Sequence, residues 1–226
     1  MIKTAALLLL SVAAAACMES GDPPDSKPFR FRWNEAAEVP PESDRSFLPY
    51  DHVGLIVPDM AVARIENLYG SDALESRDRL DGDEAVPGYV LFPGTYDELA
   101  IQLGEDKQPN SVSFRHPRTR WHHAATGLSV GTELHELREM NGEPFSFTGF
   151  GWDRGGTITD WNGGVLKDIQ VRLTYAPERI VGGGLPDTLL GERLLSSDSS
   201  SVQGLGLTVR EITVPLRNPA DSSATE

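Results

Sequence analysis

Three histidines that lie close together in the sequence are the residues best suited to metal chemistry. They are His116, His122 and His123, and neutral imidazoles with a carboxylate nearby can bind zinc or copper. Adjacent residues on a strand point to opposite faces of a sheet, so His122 and His123 cannot easily share one metal ion. The HExxH motif of helical zinc sites is absent. We predict no metal site and keep a periplasmic metal-dependent or hydrolytic enzyme using these histidines as an alternative.

Nucleophilic catalysis is not predicted either. The Ser-x-x-Lys motif is absent. Asp51-His52 near a serine could form part of a triad, but a chain with five histidines readily offers such pairs. The run Gly182–Gly184 lacks the lysine of a P-loop, which favours a plain loop over a phosphate site. We expect no catalytic residues and no cofactor.

The chain is strongly acidic. It has 226 residues and a formal net charge of −14, with 39% hydrophobic and 24% charged residues. This composition supports a globular body. The negative charge disfavours binding to nucleic acid and to anionic lipid surfaces, so basic proteins or solvated cations are better partners. The single cysteine excludes an intrachain disulfide and a cysteine-based zinc site.

That cysteine, Cys17, follows a short apolar segment at the N-terminus. Met1–Thr4 carries one lysine, and Ala5–Ala16 reads AALLLLSVAAAA, far short of the ~20 residues that a membrane-spanning helix needs. Residues 1–16 resemble a bacterial lipoprotein signal peptide with its lipobox. The resemblance implies that Cys17 becomes the acylated first residue of the mature chain, with palmitate-type chains as its membrane anchor. Met18 then implies the outer membrane, with the protein facing the periplasm.

Two other interpretations of the N-terminus remain open. An ordinary secretory signal cleaved before Cys17 would leave that residue with a free thiol. A transmembrane anchor is disfavoured, because Glu19, Asp22 and Asp25 follow the apolar segment too closely.

Residues 17–46 are predicted to be a flexible tether, and residues 217–226 a disordered polar tail. The tether is rich in proline, acidic and small polar residues, which cannot bury enough apolar surface to become ordered. A flexible chain of this length spans roughly 30 Å, so the body would stand off the membrane. Phe29–Trp33 alternates apolar and basic residues and is either an added edge strand or a piece of linker.

The rest of the chain reads as two similar units. We assign residues 47–124 to the first and 125–216 to the second, because Val53–Gly70 and Thr126–Gly142 share apolar residues at helical spacing. The internal repeat is weak, and chance similarity is an alternative. We predict an α+β fold in which two repeated helix-then-antiparallel-meander units pack as one body.

Four residues mark the ends of the two predicted helices. Asp59 and Thr132 can accept hydrogen bonds from the first amides of a helix, so the helices are predicted to begin there. Gly70 and Gly142 can adopt the left-handed conformation that ends a helix. Each helix should therefore be short.

Seven segments are predicted strands. They are Tyr89–Phe92, Leu99–Leu103, Val112–Phe114, Phe145–Trp152, Thr157–Trp161, Ile169–Tyr175 and Leu207–Leu216. The last segment carries apolar residues on both faces, which predicts a central or covered strand. The connector Gly182–Gly206 is predicted to be a loop, with one helical turn and a mobile Ser196–Ser201.

These features together resemble a known group of lipoproteins. Each unit has a short apolar segment, then a short helix that ends in glycine, then a β-meander. This order resembles that of the SmpA/OmlA-type outer-membrane assembly lipoproteins. A tandem of such units resembles the β-lactamase inhibitor protein fold, and Gly149–Gly164, GFGWDRGGTITDWNGG, is similar to a run in uncharacterised bacterial lipoproteins. The resemblance covers roughly Val53–Tyr175. It implies a non-catalytic, protein-binding role and transfers no individual functional residue.

The sequence WDRGG at residues 152–156 offers candidate binding residues. Tryptophan and arginine dominate binding hot spots, so Phe150, Trp152, Arg154 and Trp161 are the predicted binding patch. The alternative is a hairpin turn with positive φ at both glycines, in which Trp152 packs against Trp161. The two interpretations can coexist.

We therefore expect a lipid-anchored protein of the cell envelope that binds a protein partner. Its role would be in envelope assembly or in inhibition of an enzyme. A small-ligand binder with a pocket between the two units is a further alternative.

Overall fold

The computed structural model describes residues 44–81, 84–180 and 184–218. The predicted signal peptide, the acylated Cys17 and the tether up to residue 43 lie outside the described residues. Residues 219–226 of the predicted tail lie outside them as well. The described body begins at Asp44 and ends at Asn218.

The body is an α+β fold built mostly from strands. The strands are β1 (Ser46–Leu48), β2 (His52–Val53), β3 (Leu74–Ser76), β4 (Arg79–Asp81), β5 (Glu84–Val86), β6 (Gly88–Leu91), β7 (Leu99–Leu103), β8 (Pro109–Phe114), β9 (His122–His123), β10 (Ser146–Thr148), β11 (Ile158–Asp160), β12 (Gln170–Thr174), β13 (Leu194–Ser196) and β14 (Thr208–Pro215). The helices are α1 (Val62–Tyr69), α2 (Leu134–Asn141) and α3 (Ser200–Gln203). In the described part of the chain, no helix has the length and apolar composition required to cross a membrane.

The largest sheet is antiparallel throughout, with the strand order β12-β14-β8-β7-β6-β3. Side chains alternate between its two faces. On one face, Ile101, Val112 and Ile212 are almost fully buried and share one core with Ile65 of α1 and Leu137 of α2. We call this the inner face and the opposite one the outer face. Each predicted strand segment contains a strand, and the last of them, β14, is central as predicted.

Smaller sheets complete the body. One has the order β2-β1-β9, another the order β11-β10-β13, and β4 pairs with β5. An isolated bridge between Thr157 and Arg172 joins the start of β11 to β12. The turn between β10 and β11 therefore lies beside the edge of the large sheet.

The two longer helices end where the glycines predict. Gly70 has a φ of 93° and donates its amide to the carbonyl of Glu66, and Gly142 has a φ of 79° and donates to the carbonyl of Arg138. These bonds satisfy carbonyls that the last turn of a helix leaves without partners.

The predicted helix starts are wrong by one to two residues. The residue before α1 is Ala61, and Asp59 lies in a turn with a φ of 61°. The residue before α2 is Glu133, which forms a reciprocal capping box with Glu136. The hydroxyl of Thr132 instead donates to a loop carbonyl. Carboxylates in a capping box satisfy the free amides as well as the predicted threonine would.

The chain enters the described body at a buried ion pair. Arg45 is 5% exposed, and its Nε lies 2.9 Å from Oδ2 of Asp97. The Arg45 guanidinium also lies over two rings, with its Cζ 4.5 Å from the Phe92 centroid and 5.0 Å from the Trp121 centroid. Arg45, which the sequence assigns to the tether, is therefore part of the folded body.

Asp97 is the centre of this cluster. Its carboxylate accepts hydrogen bonds from the backbone amide and the Nε of Arg120, at 2.8 Å each, as well as from Arg45. Burial pushes the pKa of Asp97 up, but the hydrogen bonds from Arg120 and Arg45 and the charge of Arg120 outweigh burial and lower that pKa. Asp97 is therefore held as a carboxylate.

The connector and the start of the tail contain more regular structure than predicted. In the connector, β13 pairs with β10, and Ser199 caps α3 by accepting a hydrogen bond from the amide of Ser201. Arg217 forms an ion pair with Asp59, at 3.0 Å, and another with Asp106. The segment predicted to be mobile thus pairs and folds, and Arg217 belongs to the body.

Candidate functional site

One row of residues across the outer face of the large sheet has mostly short side chains. Ala100, Ser113, Thr213 and Gln170 lie opposite one another on four adjacent strands, and none of them is buried. At the β12 edge of this face, the sheet meets the turn that joins β10 to β11. A cleft of about 470 Å³ opens there. We call it the bulge cleft, and its lining includes Phe150, Trp152, Arg172, Tyr175 and Arg210.

A β-bulge brings Arg210 to this cleft. Arg172 lies opposite Glu211 in the pairing of β12 with β14, whereas Leu173 lies opposite Val209. Arg210 is therefore the extra residue on β14, and bulges re-aim side chains in this way. Its side chain is exposed and lines the cleft together with that of Arg172.

Arg172 is held in place by the backbone of the neighbouring turn. Its Nε donates to the carbonyl of Gly155 at 3.0 Å, and its Nη2 donates to the carbonyl of Asp153. Burial and the positive charge of Arg210 lower the pKa of Arg172, while Glu211 and Asp153 act in the opposite direction. An arginine starts from so high a pKa that Arg172 is still a cation at neutral pH.

Two aromatic residues flank the arginines. The half-buried Trp152 donates a hydrogen bond from Nε1 to the carbonyl of Gly149 at 2.9 Å. Tyr175 packs edge to face against Phe150, with 5.3 Å between the ring centroids. These contacts fix the orientation of both rings, so the cleft offers aromatic and cationic groups without prior rearrangement.

The four residues of the predicted patch fall into two groups. Phe150 and Trp161 are only 4% and 6% exposed, so the prediction that they form part of an exposed patch is wrong. Trp161 packs against Phe145 in the core, and Phe150 is the buried floor of the cleft. Trp152 is half-buried in the turn and Arg154 is exposed there. Trp152 and Arg154 therefore remain candidates for contact.

The hairpin-turn interpretation is partly confirmed. The WDRGG segment does connect β10 to β11, and Gly156 has a φ of 79°. A Cβ at Gly156 would meet the carbonyl oxygen of Leu173 at 2.3 Å, so only glycine allows this close approach. Gly155 does not have positive φ. Within the described residues, Trp152 and Trp161 are not in ring contact.

Sequence reasoning missed Arg172 and Arg210. A signal for Arg210 is present, because Arg210-Glu211 places two charged residues in succession within an otherwise alternating strand. Such a break in alternation is what a bulge produces. Nothing local indicates that Arg172 lies beside it, since their proximity depends on the register of β12 against β14.

The three histidines of the metal alternative are not brought to one site. His122 is exposed and His123 is buried, as the alternation of a strand predicts. His123 accepts a hydrogen bond at Nδ1 from the amide of Thr126, and His116 accepts one at Nδ1 from the amide of Arg118. Within the described residues, no group of three or more histidine, cysteine or acidic side chains is placed to hold a metal ion.

A Ser-His-Asp hydrogen-bonded chain does lie on the first hairpin. Ser46 Oγ is 3.1 Å from Nε2 of His52, and Nδ1 of His52 is 2.7 Å from Oδ2 of Asp51. A carboxylate only accepts, so Nδ1 carries a proton, and Nε2 faces the serine hydroxyl. The connectivity is that of a catalytic triad.

The surroundings of Ser46 differ from those of a hydrolase. Its amide donates to a carboxylate oxygen of Asp44 at 2.8 Å. That carboxylate places negative charge where an oxyanion hole would need hydrogen-bond donors. The Asp51 side chain is 70% exposed, so water screens its influence on His52.

Another serine lies in a sequence with the spacing of a different nucleophile motif, Gly-x-Ser-x-Gly. Gly127–Gly131 reads GLSVG, which has the spacing of a nucleophile elbow with Ser129 at its centre. Ser129 lacks the positive φ found at other strained turns of this chain, and its hydroxyl donates to the carbonyl of Trp121 at 2.7 Å. Ser129 therefore supports the loop before α2, and within the described residues no hydrogen bond joins its hydroxyl to a histidine.

Two other open clefts lie near α2. One is lined by residues that include Glu133, Arg138 and Gln203, and the other by residues that include Tyr175 and Glu178. Both are lined only by residues of the second predicted unit, so neither is the inter-unit pocket of the small-ligand alternative.

Comparison with known proteins adds one likeness. No protein-family model and no curated protein matches the chain. The crystal structure of the uncharacterized protein YfeY from Escherichia coli is similar to 67% of this chain and 88% of its own, with 13% sequence identity and a TM-score of 0.35. So weak a likeness bears on neither the fold nor the function.

Proposed function

We propose that this chain is a lipid-anchored protein of the cell envelope that binds another protein through the outer face of its large sheet. The observation that carries the proposal is the bulge cleft, where Trp152 and Arg210 stand together in an open site. Tryptophan and arginine are the residue types that most often dominate protein interfaces. The short side chains of Ser113 and Thr213 on the adjacent outer face leave room for a partner to approach the strands.

The anchor is the second part of the proposal. Cys17 follows an apolar segment of signal-peptide proportions, and the proline-rich residues after it suit a tether. Acylation at Cys17 would hold the body near the outer membrane, facing the periplasm. Stable anchoring requires more than one acyl chain, which a lipoprotein cysteine carries.

The third part of the proposal is that the body consists of two repeated units. Helix α1 precedes strands β3 and β6 to β8, and α2 precedes β10 to β12 and β14. The two sets meet where β8 pairs with β14. This order supports the resemblance to tandem SmpA/OmlA-type modules, whose role is protein binding without catalysis.

Two measurements test the proposal. Mass spectrometry of the mature N-terminus is expected to find a fatty-acylated Cys17, and an intact leader or a free thiol would contradict the anchor. Pull-down from detergent-solubilised membranes is expected to recover a stoichiometric partner with the natural chain and to lose it with Trp152→Ala. The control is Leu194→Ala, which removes a 68% exposed apolar side chain outside the cleft. A partner retained by Trp152→Ala, or lost equally in both variants, would overturn the assignment of the cleft.

A second candidate function is ester hydrolysis at Ser46, which the distances to His52 favour. The Ser46 oxygen would attack the ester carbon while its proton passes to His52 Nε2. That proton then leaves on the departing alcohol, and water releases the acid by the reverse steps. A fluorophosphonate probe tests this: labelling of the natural chain and of Ser113→Ala, but not of Ser46→Ala or His52→Gln, would support it. An unlabelled natural chain would exclude it.

A further inference from the structure

The bulge cleft is lined by two positively charged residues, although the protein as a whole is strongly negative. The chain as a whole has a formal net charge of −14. Two arginines, Arg172 and Arg210, nevertheless line one cleft, each from a neighbouring strand of the same sheet. Placing like charges side by side costs free energy, a cost that the nearby carboxylates of Glu211 and Asp153 reduce. The arrangement therefore suits a negatively charged ligand group.

The two arginines retain hydrogen-bonding capacity. The Nε and Nη2 of Arg172 are used by backbone carbonyls, whereas its Nη1 has no hydrogen-bond partner among the described residues. Arg210 forms no ion pair and no side-chain hydrogen bond within the described part of the chain. A planar guanidinium is the group best suited to bind a carboxylate with two hydrogen bonds.

The size and walls of the cleft favour a peptide group over a free ion. A volume of about 470 Å³ lies in the range of sites that hold several heavy atoms of a ligand. Trp152 and Tyr175 supply apolar surface on which the carbon chain of an acidic residue can pack. The carboxylate of Asp153 also lines the cleft and opposes an anion there. It makes no side-chain hydrogen bond within the described residues, so its charge can be removed without loss of structure.

We propose that the bulge cleft binds the side-chain carboxylate of an acidic segment of the partner protein, through Arg210 and Nη1 of Arg172. This inference rests on the proposed protein-binding function and names the chemistry of the partner at the same site. Trp152 packs against the carbon chain of the bound residue, and the guanidiniums hold its carboxylate.

The test uses three synthetic peptides and the purified full-length protein in detergent. The three peptides are hexaglutamate amide, hexaglutamine amide and hexaglutamine with a free C-terminal carboxylate. Binding is followed at low ionic strength by the chemical shift of the Trp152 indole N–H, assigned through its loss in Trp152→Phe. Hexaglutamate amide is expected to shift this resonance and hexaglutamine amide is not. Binding of only the free-carboxylate peptide would overturn the assignment to a side chain, and an unmoved resonance with all three would overturn the proposal.

Variants then locate the binding. Arg210→Ala and Arg210→Glu are expected to weaken hexaglutamate binding at least tenfold, and Asp153→Asn to strengthen it. Arg64→Glu is the matched control: it reverses an exposed arginine of α1 that is not part of the cleft lining, and it should change affinity less than threefold. Equal weakening by Arg64→Glu and Arg210→Glu would mean diffuse attraction and overturn the site. If the pull-down depends on Trp152 while hexaglutamate fails to bind, only this inference is lost and the proposed function stands.

Discussion

Arg45 Nε lies 2.9 Å from Oδ2 of Asp97, and both side chains are almost fully buried. The pair ties the start of the described body to the loop between β6 and β7. Arg120 also forms an ion pair with Asp97, and the rings of Phe92 and Trp121 lie against Arg45, so the pair is held by both charge and packing.

Removal of Asp97 is expected to destabilise the body strongly. Asp97→Ala removes the buried carboxylate that binds both Arg45 and Arg120, and breaking a buried pair on one side costs about 3–5 kcal/mol. Urea unfolding followed by circular dichroism measures this loss. The matched control is Glu75→Ala, which removes the exposed partner of Arg77 at 3.1 Å and should cost under about 1 kcal/mol. Similar losses in both variants would contradict the role given to Asp97.

The stability of the body is expected to fall as the pH drops below the ordinary pKa of histidine, about 6.5. Burial lowers the pKa of His123, so at mildly acidic pH the unfolded chain binds a proton that the folded chain does not. The free energy of unfolding is therefore highest at a pH above the pKa that His123 has in the unfolded chain. It decreases as the pH falls toward the lower pKa that His123 has in the folded protein. Protonation would also abolish the bond that Nδ1 accepts from Thr126.

Urea unfolding between pH 7.5 and pH 5 measures this dependence. In His123→Asn, the side-chain oxygen replaces Nδ1 as acceptor and nothing titrates, so the slope of stability against pH should become shallower. His135→Asn, which makes the same substitution at an exposed histidine, is the matched control for the change of residue type. A slope that His123→Asn does not alter would refute the prediction.

Gly164→Ala is expected to destabilise the body by about 1–3 kcal/mol, the usual cost of overpacking. A Cβ at Gly164 would lie 2.2 Å from Oδ1 of the buried Asn141. That oxygen accepts from the amide of Leu166, and Nδ2 of Asn141 donates to the carbonyl of Trp161. Thermal melting of Gly164→Ala against Gly184→Ala, where nothing lies within 4 Å of the new Cβ, measures the difference. Equal melting temperatures would show that Asn141 can move aside.

Trp161→Ala is expected to lose more stability than Trp152→Ala, whereas Trp152→Ala is expected to lose partner binding. Trp161 is 6% exposed and packed on Phe145, so its truncation should cost about 3–5 kcal/mol in urea unfolding. Trp152 is only half-buried, so its truncation should cost clearly less and should abolish partner recovery in the pull-down. A larger stability loss for Trp152→Ala would make it a structural residue of the turn.

Local features of the sequence predicted the two longer helices and seven of the strands, but not β1 to β5, β9, β13 or α3. Helical spacing and the glycines Gly70 and Gly142 located both longer helices, and alternation located those seven strands, because these patterns depend on neighbours a few residues apart. The helix starts were misplaced because Glu133 and Glu136 cap α2 through their side chains, an option that competes closely with Thr132.

Tertiary structure alone decided the candidate site. The sequence determined that Trp152, Trp161 and Phe150 are large aromatic residues near one turn, but burial of two of them followed from packing against residues far along the chain. Likewise, Arg172 and Arg210 meet only because β12 pairs with β14 in one register, with a bulge at Arg210. Strand register is set by the burial of whole sheet faces, a property of the folded core.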